Sequence, residues 1–162
     1  MIRRFLSVLW LLAVTSLASG CRIEIDDVDD SNVQVAVERM LAESAEAWNR
    51  GDLAGFMDDY LDSRNTTYIG GPGFVTGYDS IAARYAPYFE PGAARDSLRF
   101  EAVRVRRLAA VEALATARYI LYRDDTITAS GPFTLVLRHT SGGWKIIHDH
   151  SSSDPSPSPS AE

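Results

Sequence analysis

Gly143-Trp144-Lys145-Ile146-Ile147-His148-Asp149-His150-Ser151-Ser152 follows a Ser141-Gly142 turn signal and is rich in β-branched and aromatic residues, so it reads as a strand. The two-residue period of a strand puts Trp144, Ile146, His148 and His150 on one side and Asp149 on the other. The same period recurs upstream, in segments 98–108, 113–122 and 126–139, with turn chemistry at Asp124-Asp125 and Ser141-Gly142-Gly143. The alanine-rich stretch 109–117 is read as a turn and the start of a strand.

Before Leu98 the period is helical. Ser31 and Gln34 fit a capping box, behind which Val33, Val37, Met40, Leu41, Ser44 and Trp48 recur at helical spacing up to Gly51. Asp52 can cap a second helix with Leu53, Phe56, Met57, Tyr60 and Leu61 on one stripe. A short hairpin is expected next, Thr66–Ile69 and Phe74–Thr76 around Gly70-Gly71-Pro72-Gly73. Gly77 then opens a third helix carrying Ile81, Tyr85, Tyr88 and Phe89, stopped by Pro91-Gly92. Helices first and strands last argue for an α+β fold, with three N-terminal helices packed on one face of an antiparallel sheet.

The N-terminus carries a different signal. Arg3 and Arg4 precede an apolar run, Phe5 to Val14, of about ten residues, whereas a bilayer-spanning helix needs about 20. Leu17-Ala18-Ser19-Gly20-Cys21 resembles a lipobox, with alanine where leucine is more usual three places before the cysteine. Residues 1–20 are therefore expected to be a lipoprotein signal peptide and Cys21, the single cysteine, the lipidated residue. Arg22 in place of an aspartate points to the outer membrane if the host has one. The protein is expected to be extracytoplasmic and anchored to a membrane by this lipid, with no disulfide to stabilise it. Cleavage by an ordinary secretory route, with Cys21 a stray thiol or a small buried hydrophobe, is the alternative.

Loss of residues 1–20 lowers the 16 basic side chains by two against 22 acidic ones, a formal charge of −8. Nucleic acid is an improbable partner for such a chain. Residues 21–30, with Glu24, Asp26, Asp27, Asp29 and Asp30, read as an acidic tether. Residues 31–152 form one domain, and 153–162, alternating serine with proline, read as a disordered tail.

Three stretches at these distances, Trp48-Asn49-Arg50-Gly51-Asp52-Leu53, Gly77-Tyr78-Asp79-Ser80-Ile81 and 143–152, make residues 31–152 similar to the nuclear transport factor 2-like superfamily. Ketosteroid isomerases, SnoaL-like polyketide cyclases, scytalone dehydratases and the association domain of calmodulin-dependent kinases belong to it. The resemblance implies a cone-shaped, cystatin-like fold whose curved sheet wraps a pocket, and a homodimer formed through the outer sheet face. It does not fix a function, because this fold hosts enzymes, binding modules and assembly domains alike.

By the same resemblance, the isomerase proton shuttle falls on Tyr68 and the isomerase carbonyl-polarising tyrosine on Ser44, so steroid isomerase activity is not supported. The kinase association domain places a pocket arginine on Arg118 and a His-x-His on His148 and His150, while its other arginine positions fall on Leu135 and Ser151. A strand position within mostly apolar neighbours leaves Arg118 either on the solvated face or waiting in a pocket for an anion.

The resulting ligand-binding candidates are Trp48, Tyr68, Phe74, Arg118, His148 and His150. The histidine pair provides the candidate acid or base, or else satisfies backbone groups at the sheet rim. The aromatics are read mainly as core, with one or two lining a cavity. No metal site is expected, since a third ligand for the histidines is lacking. No cofactor is expected either, in the absence of a phosphate loop or dinucleotide fingerprint. A membrane-anchored module binding a small anionic or carbonyl-bearing molecule, or a protein partner, is the leading expectation. An isomerase, dehydratase or hydrolase working through His148 or His150 is the alternative.

Overall fold

A computed structural model describes residues 31–71 and 73–155. The expected signal peptide, Cys21, the acidic tether and residues 156–162 of the tail lie outside the described residues. Among those described, no helix is long and apolar enough to cross a membrane.

Helix α1 (Ser31–Arg50) buries the periodic stripe read from the sequence, Val33, Val37, Met40, Leu41, Ser44 and Trp48. Helix α2 (Leu53–Met57) is capped by Asp52, whose carboxylate accepts from Gly55 N at 2.8 Å. Hairpin β1 (Thr67–Gly70) and β2 (Gly73–Thr76) leads into α3 (Tyr78–Tyr85) and a 3-10 turn, Ala86–Phe89. The α-helix gives way there because Pro87 has no N–H to continue the ladder. Four longer strands follow: β3 (Ser97–Ala109), β4 (Glu112–Arg123), β5 (Thr126–Thr140) and β6 (Gly143–Ser151).

The strands form one curved six-stranded sheet in the order β2-β1-β6-β5-β4-β3. Every pairing is antiparallel except that of β1 with β6, which is parallel. The core lies between the helices and the inner sheet face, where Leu98, Ala113, Ala115, Ala117, Phe133, Leu135, Leu137 and Ile146 meet the buried face of α1. Fully burying a leucine, isoleucine or phenylalanine side chain of this set contributes about 1.5–3 kcal/mol, and the alanines less.

Two irregularities shape the sheet. Between Glu101 and Arg104 the β3–β4 register shifts, and Ala102 takes a positive φ of 55°, as a bulge residue does. Between β5 and β6, Val136 pairs with His148 but Leu137 pairs with Ile146, which leaves Ile147 without a partner. An unpaired residue reverses the facing of everything beyond it.

The free edge at β3 is closed by side chains. Gln34, expected to complete a capping box with Ser31, instead donates to Val103 O at 3.1 Å and accepts from Val105 N at 2.7 Å. Asn49 does the same with Leu98, at 2.9 and 2.7 Å. At the C-terminus, Ser152 N donates to Pro132 O and Asp154 N to Ser130 O. Backbone pairing with β5 thus continues past Ser151, through two residues, Ser153 and Asp154, that the sequence reading assigns to the tail.

Candidate functional site

The bulge at Ile147 sets the site. It turns Asp149 to the inner face, in register with Tyr68 of β1 on one side and Leu135 of β5 on the other. There Asp149 is 6% exposed and forms part of the wall of a cavity of about 260 Å³ between the sheet and the helices. Trp48, Phe56, Tyr60, Tyr68, Tyr85, Phe133 and Leu135 supply most of the apolar wall. The Trp48 indole N–H is satisfied by Asp96 O at 2.9 Å, so the ring offers the cavity an apolar surface. The rings of Phe56 and Tyr85 meet edge to face, centroids 4.9 Å apart, and Tyr68 packs on Tyr85 at 5.8 Å.

Polar groups in this wall are few and convergent. Tyr60 Oη donates to Asp149 Oδ2 at 2.6 Å and Ser151 Oγ donates to Oδ1 at 2.9 Å. The Tyr60 and Tyr85 hydroxyls are 3.4 Å apart. Burial pushes the Asp149 carboxyl up to about 6, outweighing the hydrogen bonds from Tyr60 and Ser151 that favour its ionised form. Burial first, and the Asp149 charge second, hold the Tyr60 and Tyr85 hydroxyls well above the usual phenol range. Arg84 of α3 also lines the cavity; its Nη2 donates to Gly70 O at 3.3 Å and its guanidinium lies 5.1 Å from the Tyr68 ring centroid. Behind the wall, Ser44 hydrogen-bonds the buried Asp59, whose carboxyl burial raises to about 7 and whose Oδ2 has no partner.

The residues singled out from the sequence divide accordingly. Trp48 and Tyr68 line the cavity. Phe74 does not: it pairs with Ile69 on the outer face and is 64% exposed. Arg118 is also outside the cavity, because the alternation of β4 turns its neighbours Ala117 and Tyr119 inward and Arg118 outward, opposite Glu101 and Pro132. There it pairs with Asp154, whose carboxyl the Ser130 and Arg118 hydrogen bonds hold low.

His148 and His150, expected beside Ile146, face outward because the bulge intervenes. His148 Nδ1 is 2.6 Å from Thr67 Oγ1, and burial lowers its pKa. Asp149 and Arg84 are not among the sequence candidates, and Tyr60 and Tyr85 are read there only with the aromatics of the core, one or two of which are expected at a cavity. Among the described residues no group of three His, Cys, Asp or Glu is placed to hold a metal ion.

A curved sheet whose helices enclose an aromatic cavity with one buried acid defines a nuclear transport factor 2-like, or cystatin-like, domain. A family model described as a SnoaL-like domain matches residues 37–156, and the chain belongs to that family. Comparison with curated proteins gives no match.

Among solved structures, a nuclear transport factor 2-like protein of unknown function from Shewanella oneidensis is 29% identical, covering 73% of this chain and 97% of that one, with a TM-score of 0.64. A protein described as a dehydratase of the same family from Streptomyces avermitilis is 20% identical over 78% of this chain and 99% of that one, TM-score 0.64. A ketosteroid isomerase-like protein from Erwinia carotovora is 20% identical over 76% and 97%, TM-score 0.58. At these identities the last two share the fold with this chain.

Proposed function

We propose that the chain is an extracytoplasmic lipoprotein, anchored through Cys21, whose SnoaL-like domain binds a small and largely apolar molecule in the cavity around Asp149. The observation that carries this reading is a carboxyl group 6% exposed inside an aromatic wall, raised to about 6 by burial. A fold that needed only a core would gain stability from an apolar residue there, since an ionised buried group is costly. Binding sites, by contrast, are mostly apolar surfaces with a few placed polar groups.

Small neutral aromatics such as indole or p-cresol should raise the thermal midpoint in proportion to the logarithm of their concentration. Filling the cavity with Leu135→Trp should remove that response. No stabilisation at millimolar probe would refute the reading. Anchoring is tested separately: the wild type should take up radioactive palmitate and a Cys21→Ser variant should not. Equal labelling of the two would refute the lipid.

A second reading is favoured by the Asp149–Tyr60–Tyr85 hydrogen-bonded line. A carboxyl at about 6 is suited to exchange protons near neutrality, so the same cavity supports an isomerase or dehydratase rather than one using His148 or His150. Exchange of the α-hydrogens of a small cyclic ketone in D₂O, followed by NMR, distinguishes the two. Exchange abolished by Asp149→Asn marks catalysis, and no exchange above background marks binding alone.

A further inference from the structure

We propose that the cavity is built for a flat hydroxy-carboxylate, an aromatic or conjugated molecule whose carboxylate meets Arg84 and whose hydroxyl meets Asp149. This deepens the reading of the cavity as a ligand site and rests on it.

Three observations give the ligand its chemistry. The first is charge. Arg84 lines the cavity, yet no carboxylate of the described residues lies within ion-pair distance of it; it meets the Gly70 carbonyl at 3.3 Å and the ring face and hydroxyl of Tyr68. An arginine fork is matched to a carboxylate, which it can hold through two parallel hydrogen bonds.

The second is the polarity of Asp149. Asp149 already receives Tyr60 on one oxygen and Ser151 on the other. Each carboxylate oxygen has a further acceptor site, so a ligand hydroxyl can be added without displacing either. Arg84 and Asp149 line the same cavity and form no ion pair with each other. A molecule carrying an acceptor anion at one end and a donor at the other satisfies both.

The third is shape. Arg84 lies over the Tyr68 ring, Tyr68 packs on Tyr85 at 5.8 Å and Tyr85 on Tyr60 at 6.3 Å, and Tyr60 hydrogen-bonds Asp149. Trp48 and Phe56 close the remaining side. Aromatic walls favour a ring, which packs on them offset or edge to face, over a flexible chain. The volume of about 260 Å³ lies just under the roughly 300–1,000 Å³ usual for ligand sites, which limits the occupant to one ring with short substituents.

The test is calorimetric titration of the full chain at fixed salt with 4-hydroxybenzoate and 4-hydroxycinnamate. Their methyl esters lack the charge, and benzoate and cinnamate lack the hydroxyl. Each hydroxy acid should bind about ten- to a hundredfold more tightly than its ester, the range of a charge-assisted hydrogen bond. Arg84→Gln should erase the preference for acid over ester, and Arg84→Lys should restore part of it. Asp149→Asn should erase the preference for hydroxylated over deoxy ligand. Because each readout is a ratio within one variant, a change in overall stability does not mimic it. Acid and ester binding equally to the wild type, or an acid-to-ester ratio unchanged in Arg84→Gln, would overturn the inference while leaving the cavity a site for neutral aromatics. Binding of none of these compounds would overturn the cavity reading as well.

Discussion

Replacing Asp149 by Asn should make the domain more stable at pH 8 and bring no gain from charge near pH 3, where the carboxyl is protonated in both the folded and the unfolded chain. The carboxyl is raised from 3.8 to about 6, chiefly by burial. A group whose folded pKa exceeds its unfolded one favours folding while protonated, and that advantage is lost as pH rises through the folded value. Above about pH 7 the wild type therefore carries the full cost of a buried carboxylate. At 1.36 kcal/mol per pKa step, the gap between 3.8 and about 6 caps this cost at about 3 kcal/mol.

Asparagine keeps the shape and remains neutral, so it should recover about 1–3 kcal/mol at pH 8. Asp59, raised to about 7, has the same sign of dependence. It is present in both proteins, however, and neither acid is among the groups that shift the other, so it cancels in the difference. Urea unfolding of both proteins at pH 3, 6 and 8, followed by circular dichroism, gives the comparison directly. A variant less stable than the wild type at pH 8, or a difference that does not change with pH, would refute the argument.

Arg118→Ala should cost less than about 1 kcal/mol, since its pair with Asp154 is 40% and 35% exposed. It should also leave ligand affinity in the cavity unaltered, as titration of the variant will check. Leu137, fully buried in the core, should cost about 2–5 kcal/mol on truncation to alanine, measured by urea unfolding. At Gly131 a Cβ would sit 1.8 Å from Ser152 O, so Gly131→Ala should detach the segment after Ser151 and make it sensitive to limited proteolysis. The domain should sediment as a dimer at micromolar concentration, through the outer face that carries Ile69, Leu114 and Val136. A monomer would remove that expectation.

Element order and strand positions were legible because period and turn chemistry are local properties. β3 to β6 begin and end within a residue or two of the segments read from alternation alone. The face of β6 beyond Ile146 was not legible. Alternation puts His148 and His150 beside Ile146, and one unpaired residue, Ile147, reverses them. No glycine or proline marks that bulge; its position depends on how β5 and β1 pair with β6. Arg118 was more accessible to reading. Ala113, Ala115 and Ala117 form one side of a strand too small to need solvent, and Arg118 has the opposite parity. Tyr60 lies just past α2, bridged to Ile146, whereas Arg84 and Tyr85 end α3, and only the folded chain brings them to the cavity that Asp149 lines.

Gln34 and Asn49 have a consequence beyond holding α1 to β3. Each amide offers one donor and one acceptor at the spacing of a peptide group, so to the last strand of the sheet the helix looks like a further strand. A neighbouring molecule seeking to extend the sheet finds those positions occupied. The β3 edge is thereby guarded, at Leu98, Val103 and Val105, against the edge-to-edge pairing through which exposed strands aggregate.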